Sequence, residues 1–322
     1  MTFESRIDLS ELHEAVGNIR HQINKVVVGQ QAMIDLLLTA ILADGHVLVE
    51  GVPGVAKTLT AKLLAKTIDT NFSRIQFTPD LMPSDVLGTS IYNPKNSDFE
   101  FKKGPIFANI VLIDEINRSP AKTQAALFEV MEERQITNSG ITYIMDFPFI
   151  VLATQNPIEQ EGTYRLPEAQ LDRFLFKIVV NYPSMAEEIL ILEGQSSTSI
   201  QTLMQSVGAV MTATQLRELR EKVRQIAIES KIIEYIAKIV QETRNSKSLY
   251  LGASPRASVA LMNASKALAA IRGRDFVTPE DVQELTPHVL RHRIILMPEK
   301  EMEGSSPDDV IAQILQKIEV PR

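Results

Sequence analysis

Apolar side chains recur at helical spacing in two stretches near the start of the chain. In the first, Leu12, Val16 and Ile19 follow one another at intervals of three or four residues, which is the spacing of one face of a helix. A second stretch of the same kind follows the Val28-Gly29-Gln30 break. The pattern predicts two helices within residues 9–43.

Short, continuously apolar runs then alternate with helical stretches such as residues 121–133. Continuous rather than alternating apolarity is typical of strands that helices cover on both faces of a parallel sheet. The pattern therefore predicts an α/β fold with a parallel sheet. The four runs are residues 47–49, 110–113, 149–153 and 175–180.

Two segments interrupt this alternation. Residues 135–146 alternate in polarity around Asn138-Ser139-Gly140, which predicts a β-hairpin inserted before the next strand. Residues 78–103 contain three prolines and a glycine that break up any long element, so we expect a second insertion without a long element there.

After Tyr182-Pro183 the pattern becomes helical. We expect a polar connector at residues 195–205 and a boundary between two domains, 1–190 and 191–322. The predicted helices cover residues 185–192, 214–230, 232–244, 257–271 and 279–291.

Composition fits a two-domain soluble protein. The chain has 322 residues, 44% hydrophobic and 23% charged, close to average values for such proteins. It has no Cys, which excludes disulfides, thiolate nucleophiles and Cys-based zinc sites. The N-terminus lacks the apolar core of a signal peptide and no apolar run approaches the roughly 18 residues of a membrane span. We therefore expect a cytoplasmic protein without a membrane span.

The formal net charge of -7 argues against a dedicated DNA-binding protein, because phosphate contacts from basic residues supply most of the affinity of such proteins. No nucleic-acid partner is therefore expected. The net charge of the whole chain does not describe a local basic pore that forms only in an oligomer.

A phosphate loop lies between the first apolar run and the helix after it. The loop reads Gly51-Val52-Pro53-Gly54-Val55-Ala56-Lys57-Thr58, with Leu59 next in the helix. Its glycines allow backbone N–H groups to surround phosphate oxygens, helped by the positive end of the helix dipole. Lys57 would reach the outer phosphates of ATP, and the Thr58 hydroxyl would bind Mg²⁺. The alternative is a glycine turn before a helix with an exposed lysine.

One position departs from the general phosphate-loop pattern. Ala56 stands where that pattern has its second glycine. A methyl group is tolerated there if the backbone φ is negative, and Gly51 and Gly54 supply flexibility nearby.

An acidic pair follows the second apolar run. Asp114 and Glu115 lie directly after four apolar residues, at the strand edge where α/β sheets bind ligands. Asp114 would hold Mg²⁺, and Glu115 would orient the attacking water or accept its proton. A strand that ends in two solvated acids is the alternative.

These motifs resemble the MoxR group of the AAA+ superfamily, whose phosphate loop usually has alanine in the place of Ala56. The resemblance covers about residues 10–295. Five blocks carry it in order: GVPGVAKT (51–58), VLIDEINR (111–118), ATQNP (153–157), LPEAQLDRF (166–174) and GASPRA (252–257).

The resemblance implies an α/β protein with an αβα nucleotide-binding domain, a small all-helical lid and a ring, commonly a hexamer. It also implies ATP bound between neighbouring subunits, with the two insertions on the substrate side of the ring. A chaperone-like ATPase that remodels protein clients, including proteins with von Willebrand factor A domains, is the function it implies. The alternatives are a DNA-directed AAA+ motor of the helicase-loader or branch-migration type, and a nucleotide-binding scaffold without turnover.

The resemblance also assigns roles to single residues. Asn156 would be the polar sensor of the terminal phosphate, and its alternative is an Asn-Pro turn. Arg173 would be the arginine finger that reaches the neighbour's ATP; an intrachain pair with Asp172 or Glu168 is the alternative.

Two further assignments come from the resemblance. Arg256 would be the second sensor, which links the lid angle to phosphate occupancy, and its alternative is a surface arginine at a helix start. Gly29-Gln30 would pack against adenine; a plain helix break is the alternative.

Overall fold

The computed structural model describes residues 7–95, 97–156, 164, 166–197 and 199–321. Its helices are α1 (Ser10–Asn24), α2 (Gln31–Leu42), α3 (Lys57–Thr67), α4 (Pro83–Leu87), α5 (Ala121–Glu133), α6 (Glu168–Leu171), α7 (Met185–Ser197), α8 (Ile200–Ser206), α9 (Ala213–Gln225), α10 (Ser230–Asn245), α11 (Pro255–Ile271), α12 (Pro279–Leu290), α13 (Pro298–Met302) and α14 (Pro307–Lys317). Its strands are β1 (His46–Gly51), β2 (Phe72–Gln76), β3 (Gly88–Asn93), β4 (Asp98–Lys103), β5 (Ile110–Asp114), β6 (Gln135–Asn138), β7 (Ile141–Ile144), β8 (Ile150–Gln155), β9 (Phe174–Val180), β10 (Leu249–Leu251) and β11 (Ile295–Leu296).

The central sheet has five parallel strands in the order β2-β5-β8-β1-β9. Its inner strands are buried on both faces, which confirms the interpretation of the continuous apolar runs. In β5, Ile110 and Leu112 pack into the core on one face, and Val111 and Ile113 pack into the core on the other. Burial of an aliphatic side chain contributes about 1.5–3 kcal/mol, so β5 is a central stabilising element.

Strand β2 is missing from the sequence prediction. It reads Phe-Ser-Arg-Ile-Gln, and Ile75 is its only buried residue. The strand lies at the edge of the sheet and pairs only with β5 among the strands described. One face of β2 is also exposed to water. Its apolar residues therefore do not form a continuous run, and the sequence pattern does not reveal the strand.

Both insertions contain hairpins. The predicted hairpin is confirmed as β6 and β7. In the part that the structure describes, the insertion at residues 78–103 contains no long element, as expected: it forms the short helix α4 followed by the antiparallel pair β3 and β4. The two hairpins pack together through the rings of Phe101 and Tyr143, whose centroids are 4.6 Å apart.

Two predictions for the C-terminal half are wrong in detail. The polar connector at residues 195–205 is largely helical, since α7 extends to Ser197 and α8 begins at Ile200. The helix predicted at residues 214–230 ends at Gln225. Ile226 is buried and has φ -51° and ψ 128°, outside the helical region. Ala227 forms a parallel bridge with Phe276, so the apolar residues after Gln225 belong to a bridge rather than to a helix.

The C-terminal region is mainly helical but also contains the antiparallel pair β10 and β11. A buried ion pair joins it to the central sheet domain: Arg293 Nε lies 2.7 Å from Asp172 Oδ1, and only 3% of the Arg293 side chain is exposed. Asp172 also accepts a hydrogen bond from the Ser254 hydroxyl. Among the described residues, no helix is both long and apolar enough to cross a bilayer.

Candidate functional site

The phosphate loop connects β1 to α3, as predicted. Lys57 is the first residue of α3, and its Nζ donates a hydrogen bond to the Gly51 carbonyl at 2.5 Å. Partial burial lowers the pKa of Lys57, and the nearby carboxylates of Asp114, Glu115 and Glu50 oppose that shift. The lysine therefore faces the acidic strand end across the loop.

Gly51 and Val55 shape the loop from below. A Cβ at Gly51 would lie 2.7 Å from the Val180 carbonyl oxygen on β9, so only glycine fits at this end of β1. Val55 is buried in the core, whereas Val52 is half-buried. These residues anchor the loop to the sheet.

Ala56 does not have the negative φ that would accommodate its methyl group without strain. Ala56 has φ 60° and ψ 17°, in the left-handed region, which costs a residue with a Cβ about 1–2 kcal/mol. The residue forms the N-cap of α3, and its carbonyl accepts hydrogen bonds from the Thr60 N–H at 2.9 Å and the Thr60 hydroxyl at 3.0 Å. These bonds to the first turn of α3 hold the strained conformation at the site.

A cavity of about 390 Å³ joins the loop to the strand ends, within the usual range of small-molecule sites. The structure thus brings together most of the residues predicted for ATP and Mg²⁺. Those predicted residues that line the cavity are Pro53, Gly54, Ala56, Lys57, Thr58, Leu59, Asp114, Glu115 and Asn156.

A threonine hydroxyl fixes the acidic pair. Thr154 Oγ1 on β8 donates to Asp114 Oδ1 at 3.1 Å and accepts the Glu115 N–H at 3.1 Å. Asp114 is buried, with 8% exposure. Glu115 has φ 57° and ψ 53°, a left-handed conformation that turns the chain at the end of β5.

Two residues of β2 contact the same acids and were not predicted. Arg74 Nε lies 2.5 Å from Asp114 Oδ2, and Gln76 Nε2 donates to Glu115 Oε2 at 2.9 Å. The strand register pairs Gln76 with Asp114. Recognition of β2 as the neighbour of β5 would have identified both residues, because they alternate toward one side of the strand.

Arg118 also contacts Glu115, with NH1 3.0 Å from Oε2. Asn156 follows β8 and lines the cavity beside Thr154. Pro157, the last residue of the ATQNP block, lies outside the described residues.

Gly29 and Gln30 form more than a plain break between α1 and α2. Both have positive φ, 70° and 58°. A Cβ at Gly29 would lie 2.5 Å from Glu187 Oε1 on α7, and Gln30 Nε2 donates to the Asn181 carbonyl at 3.2 Å. This segment therefore packs against the connection from β9 to α7.

Arg173 and Arg256 share one carboxylate. Arg173 Nε lies 3.1 Å from Glu132 Oε2, as an ion pair without the alignment of a hydrogen bond, and Arg256 NH2 donates to Glu132 Oε1 at 2.9 Å. Arg173 NH1 also donates to the Phe128 carbonyl. The intrachain acid on Arg173 is thus Glu132, whereas the predicted alternative Asp172 pairs with Arg293.

Both arginines line a second cavity of about 530 Å³, formed by α5, the end of α6 and the start of α11. No described residue of the phosphate loop lines it. The arginine pair and the loop therefore belong to two different surfaces of one chain.

Comparison with known proteins agrees with this site. The model of the ATPase family associated with various cellular activities (AAA) matches residues 46–176, and the AAA lid domain model matches residues 241–314. YeaC of Bacillus subtilis is 49% identical over 97% of this chain and 96% of its own length. The chaperone MoxR1 of Mycobacterium tuberculosis is 44% identical over 94% of this chain and 81% of its own length.

A solved structure is equally similar. The crystal structure of a candidate ATPase from Cytophaga hutchinsonii has a TM-score of 0.90 and 43% sequence identity, over 98% of this chain and 97% of that chain. Sequence, fold and site agree that the chain belongs to the MoxR family of AAA+ ATPases.

Proposed function

We propose that the chain hydrolyses ATP in the cavity lined by Lys57 and that a neighbouring copy completes this site. The free energy of hydrolysis is used to remodel a protein client. One observation carries the proposal: Lys57, Thr58, Asp114 and Glu115 line one cavity. The cavity therefore has a cation for the outer phosphates, oxygen ligands for a metal ion and a base for the attacking water.

The loop Gly51-Val52-Pro53-Gly54-Val55-Ala56 would hold the phosphates through backbone N–H groups, together with Lys57, Thr58 and Leu59 at the start of α3. Gly29 and Gln30 would contact the adenine. Their packing against the start of α7 supports this, because it brings them toward the carboxyl-end side of the sheet, where nucleotides bind.

Thr58 and Asp114 would hold Mg²⁺. A hydroxyl and a carboxylate are oxygen donors of the kind that Mg²⁺ prefers, and the ion usually keeps several waters beside them. When bound, Mg²⁺ would neutralise negative charge on the outer phosphates. The bond from the Thr154 hydroxyl to Asp114 orients the carboxylate for this task.

Glu115 would orient the attacking water and accept its proton, with Asn156 beside the terminal phosphate. The backbone of Glu115 is fixed by Thr154, while its carboxylate is held by Gln76 and Arg118. Those side-chain bonds would have to loosen for the carboxylate to reach water.

Arg173 and Arg256 would act on the ATP of the neighbouring copy. They line a cavity without phosphate-loop residues, so an interface between copies is the arrangement in which both surfaces serve one nucleotide. A closed ring of six copies is the assembly we propose, with residues 1–190 as the nucleotide-binding domain and 191–322 as the lid. Glu132 holds the two arginines together and positions them as a unit.

The client would be a protein, including proteins with von Willebrand factor A domains, and the site of action the cytoplasm. The similarity to MoxR1, a named chaperone, supports a remodelling role. The net charge of -7 favours a protein over a nucleic acid as partner.

Two substitutions test the site. Lys57→Ala should abolish ATP binding because it removes the positive charge that binds the outer phosphates. Glu115→Gln should bind ATP but stop turnover because an amide cannot act as a base. Titration with a fluorescent ATP analogue and a phosphate-release assay separate the two effects. Unchanged affinity in Lys57→Ala, or wild-type turnover in Glu115→Gln, would refute the assigned roles.

The Glu115→Gln variant also tests the client. In the presence of ATP, this variant should retain a protein from a cell extract, and exchange of ATP for ADP should release that protein. Lys57→Ala is the matched negative control. Stimulation of the wild-type ATPase by DNA, with no protein retained, would contradict the proposed client class.

A further inference from the structure

Helix α7 carries an apolar stripe that the described part of its own chain leaves exposed. Met185, Ile189 and Leu192 follow at intervals of four and three residues, which places them on one face of the helix. Their exposures are 81%, 46% and 64%. Within residues 185–194, no side chain is buried.

Such a helix is unusual in a protein that is free in water. An isolated helix of this length is marginally stable, and most helices gain stability by packing an apolar face. Apolar side chains grouped on one exposed face mark an interaction site more often than scattered ones do. Tyr182, which precedes the helix and is 71% exposed, extends the apolar stripe.

The position of α7 indicates what covers the stripe. Glu187 on α7 contacts Gly29, so the helix begins beside the proposed adenine segment. The nucleotide site is incomplete in one chain, because Arg173 and Arg256 lie on another surface. A copy that brings these arginines to the nucleotide also brings its neighbouring surface toward α7.

That neighbouring surface is an exposed face of α11. Arg256, Val259 and Asn263 follow at intervals of three and four residues and are all exposed, so they form a stripe that runs away from the arginine pair. Val259 is 54% exposed and lines the cavity of Arg173. Apolar atoms for the α7 stripe therefore lie one helical turn from Arg256.

The charges of the two surfaces are complementary. Helix α7 contains three glutamates, Glu187, Glu188 and Glu193, and no Lys or Arg. The cavity beside α11 is lined by four arginines and by three acids; the arginines are Arg134, Arg173, Arg256 and Arg293. Complementary charge favours this orientation over contact between two identical α7 helices.

We propose that the α7 stripe of one copy docks on the α11 face of the next copy and carries the apolar part of the ring interface. This rests on the proposed function, since it presumes that a neighbour completes the nucleotide site. The interface is heterologous, with a different patch on each partner, and repetition of such a contact closes a ring.

Cross-linking tests the pairing directly, because the chain has no Cys of its own. The variant with Ile189→Cys and Val259→Cys, carrying Glu115→Gln to retain ATP, is treated with a short bis-maleimide. We expect a ladder of linked copies beyond the dimer, only when both cysteines are present. The control replaces Val259→Cys with Met302→Cys on α13, where Met302 is 87% exposed. A ladder of equal yield in the control, or a product linked within one chain, would overturn the proposal.

Light scattering of charge variants provides the second test. Ile189→Glu with Leu192→Glu should raise the protein concentration needed for ring assembly about tenfold or more, because a carboxylate at a buried interface anchor is strongly unfavourable. ATP affinity of the single subunit should stay unchanged, and Met302→Glu should assemble like the wild type. A ring unaffected by the double substitution overturns the α7 docking alone. A wild-type chain that never assembles with ATP overturns both this docking and the proposed ring.

Discussion

Arg74 on β2 places its guanidinium Nε 2.5 Å from the carboxylate oxygen Oδ2 of Asp114 on β5. Asp114 is the carboxylate we assign to Mg²⁺, so the arginine and the metal ion compete for one acid. The Arg74 side chain is 54% exposed, and an ion pair with so exposed a partner contributes only about 0–1 kcal/mol. A divalent ion held by Asp114, Thr58 and phosphate oxygens should displace it.

Replacement of Arg74 should therefore lower the Mg²⁺ requirement. In Arg74→Ala, we expect the Mg²⁺ concentration for half-maximal ATPase to fall severalfold, because the competing charge is gone. Arg74→Lys keeps the positive charge and is the matched control. Magnesium titrations at constant free ATP measure the effect; an unchanged or higher requirement in Arg74→Ala would show that the pair does not compete with the metal.

The hydroxyl of Thr154 should matter more for turnover than for binding. Thr154→Val keeps the shape but removes the bonds to Asp114 and to the Glu115 N–H. We expect kcat to fall about tenfold while KM for ATP stays within a few-fold, and the free energy of unfolding to fall by about 1–3 kcal/mol because two polar groups lose a partner. Thr154→Ser retains the hydroxyl and should behave like the wild type. Equal losses of kcat in both variants would mean that Thr154 acts through packing and not through its hydroxyl.

His46 predicts a pH dependence of stability. It is buried at the start of β1, where its Nδ1 accepts the Val151 N–H at 2.9 Å and its Nε2 lies 3.1 Å from the Met131 carbonyl. Burial, reinforced by the charge of Arg134, lowers the pKa of His46 to about 4 from 6.5. The unfolded chain thus binds a proton in a range where the folded chain does not.

The contribution of His46 to stability is complete above pH 6.5 and is lost as the pH falls from 6.5 toward 4. The slope is at most about 1.4 kcal/mol per pH unit. Urea unfolding at pH 7 and pH 5 should show a smaller pH effect in His46→Gln than in the wild type, although the variant is less stable at pH 7. Parallel pH profiles of the two proteins would exclude His46 as the cause.

The ion pair of Asp172 with Arg293 should be costly to break from one side. Asp172→Ala leaves a buried guanidinium without its carboxylate, which typically costs about 3–5 kcal/mol. Glu221→Ala breaks the pair with Arg224, in which the two side chains are 56% and 67% exposed, and should cost at most about 1 kcal/mol. Chemical unfolding of both variants measures the difference. Similar losses of unfolding free energy in both variants would mean that burial does not determine the strength of the Asp172–Arg293 ion pair.

The sequence predicts the central strands well because they are buried on both faces, so their apolar runs are continuous. It misses β2, whose solvated face interrupts the run, and with it Arg74 and Gln76. The conformation of Ala56 could not be predicted from the sequence, because one residue type does not determine φ where the first turn of α3 fixes the loop. Glu132 could not be assigned to the arginines, since its contact with Arg173 depends on how α5 packs beside β9, and its contact with Arg256 depends on how the lid packs on the sheet domain. Periodicity locates the apolar face of α7 but does not say what covers it.

In the proposed ring, one chain supplies the phosphate loop of each ATP site and its neighbour supplies Arg173. Arg173→Ala subunits have a sound loop, and Lys57→Ala subunits have a sound arginine. Each variant alone should be nearly inactive, because an arginine finger contributes about a thousandfold or more in rate and the loop lysine is needed for binding.

Mixing the two variants gives the most direct test. In mixed rings, verified by pull-down with two different tags, some interfaces join a sound loop to a sound arginine. We expect the ATPase rate of the mixture to rise well above the rates of the separate variants. A mixture that forms mixed rings but never exceeds the separate rates would contradict it, and Arg173 would then serve only its contacts with Glu132 and Phe128.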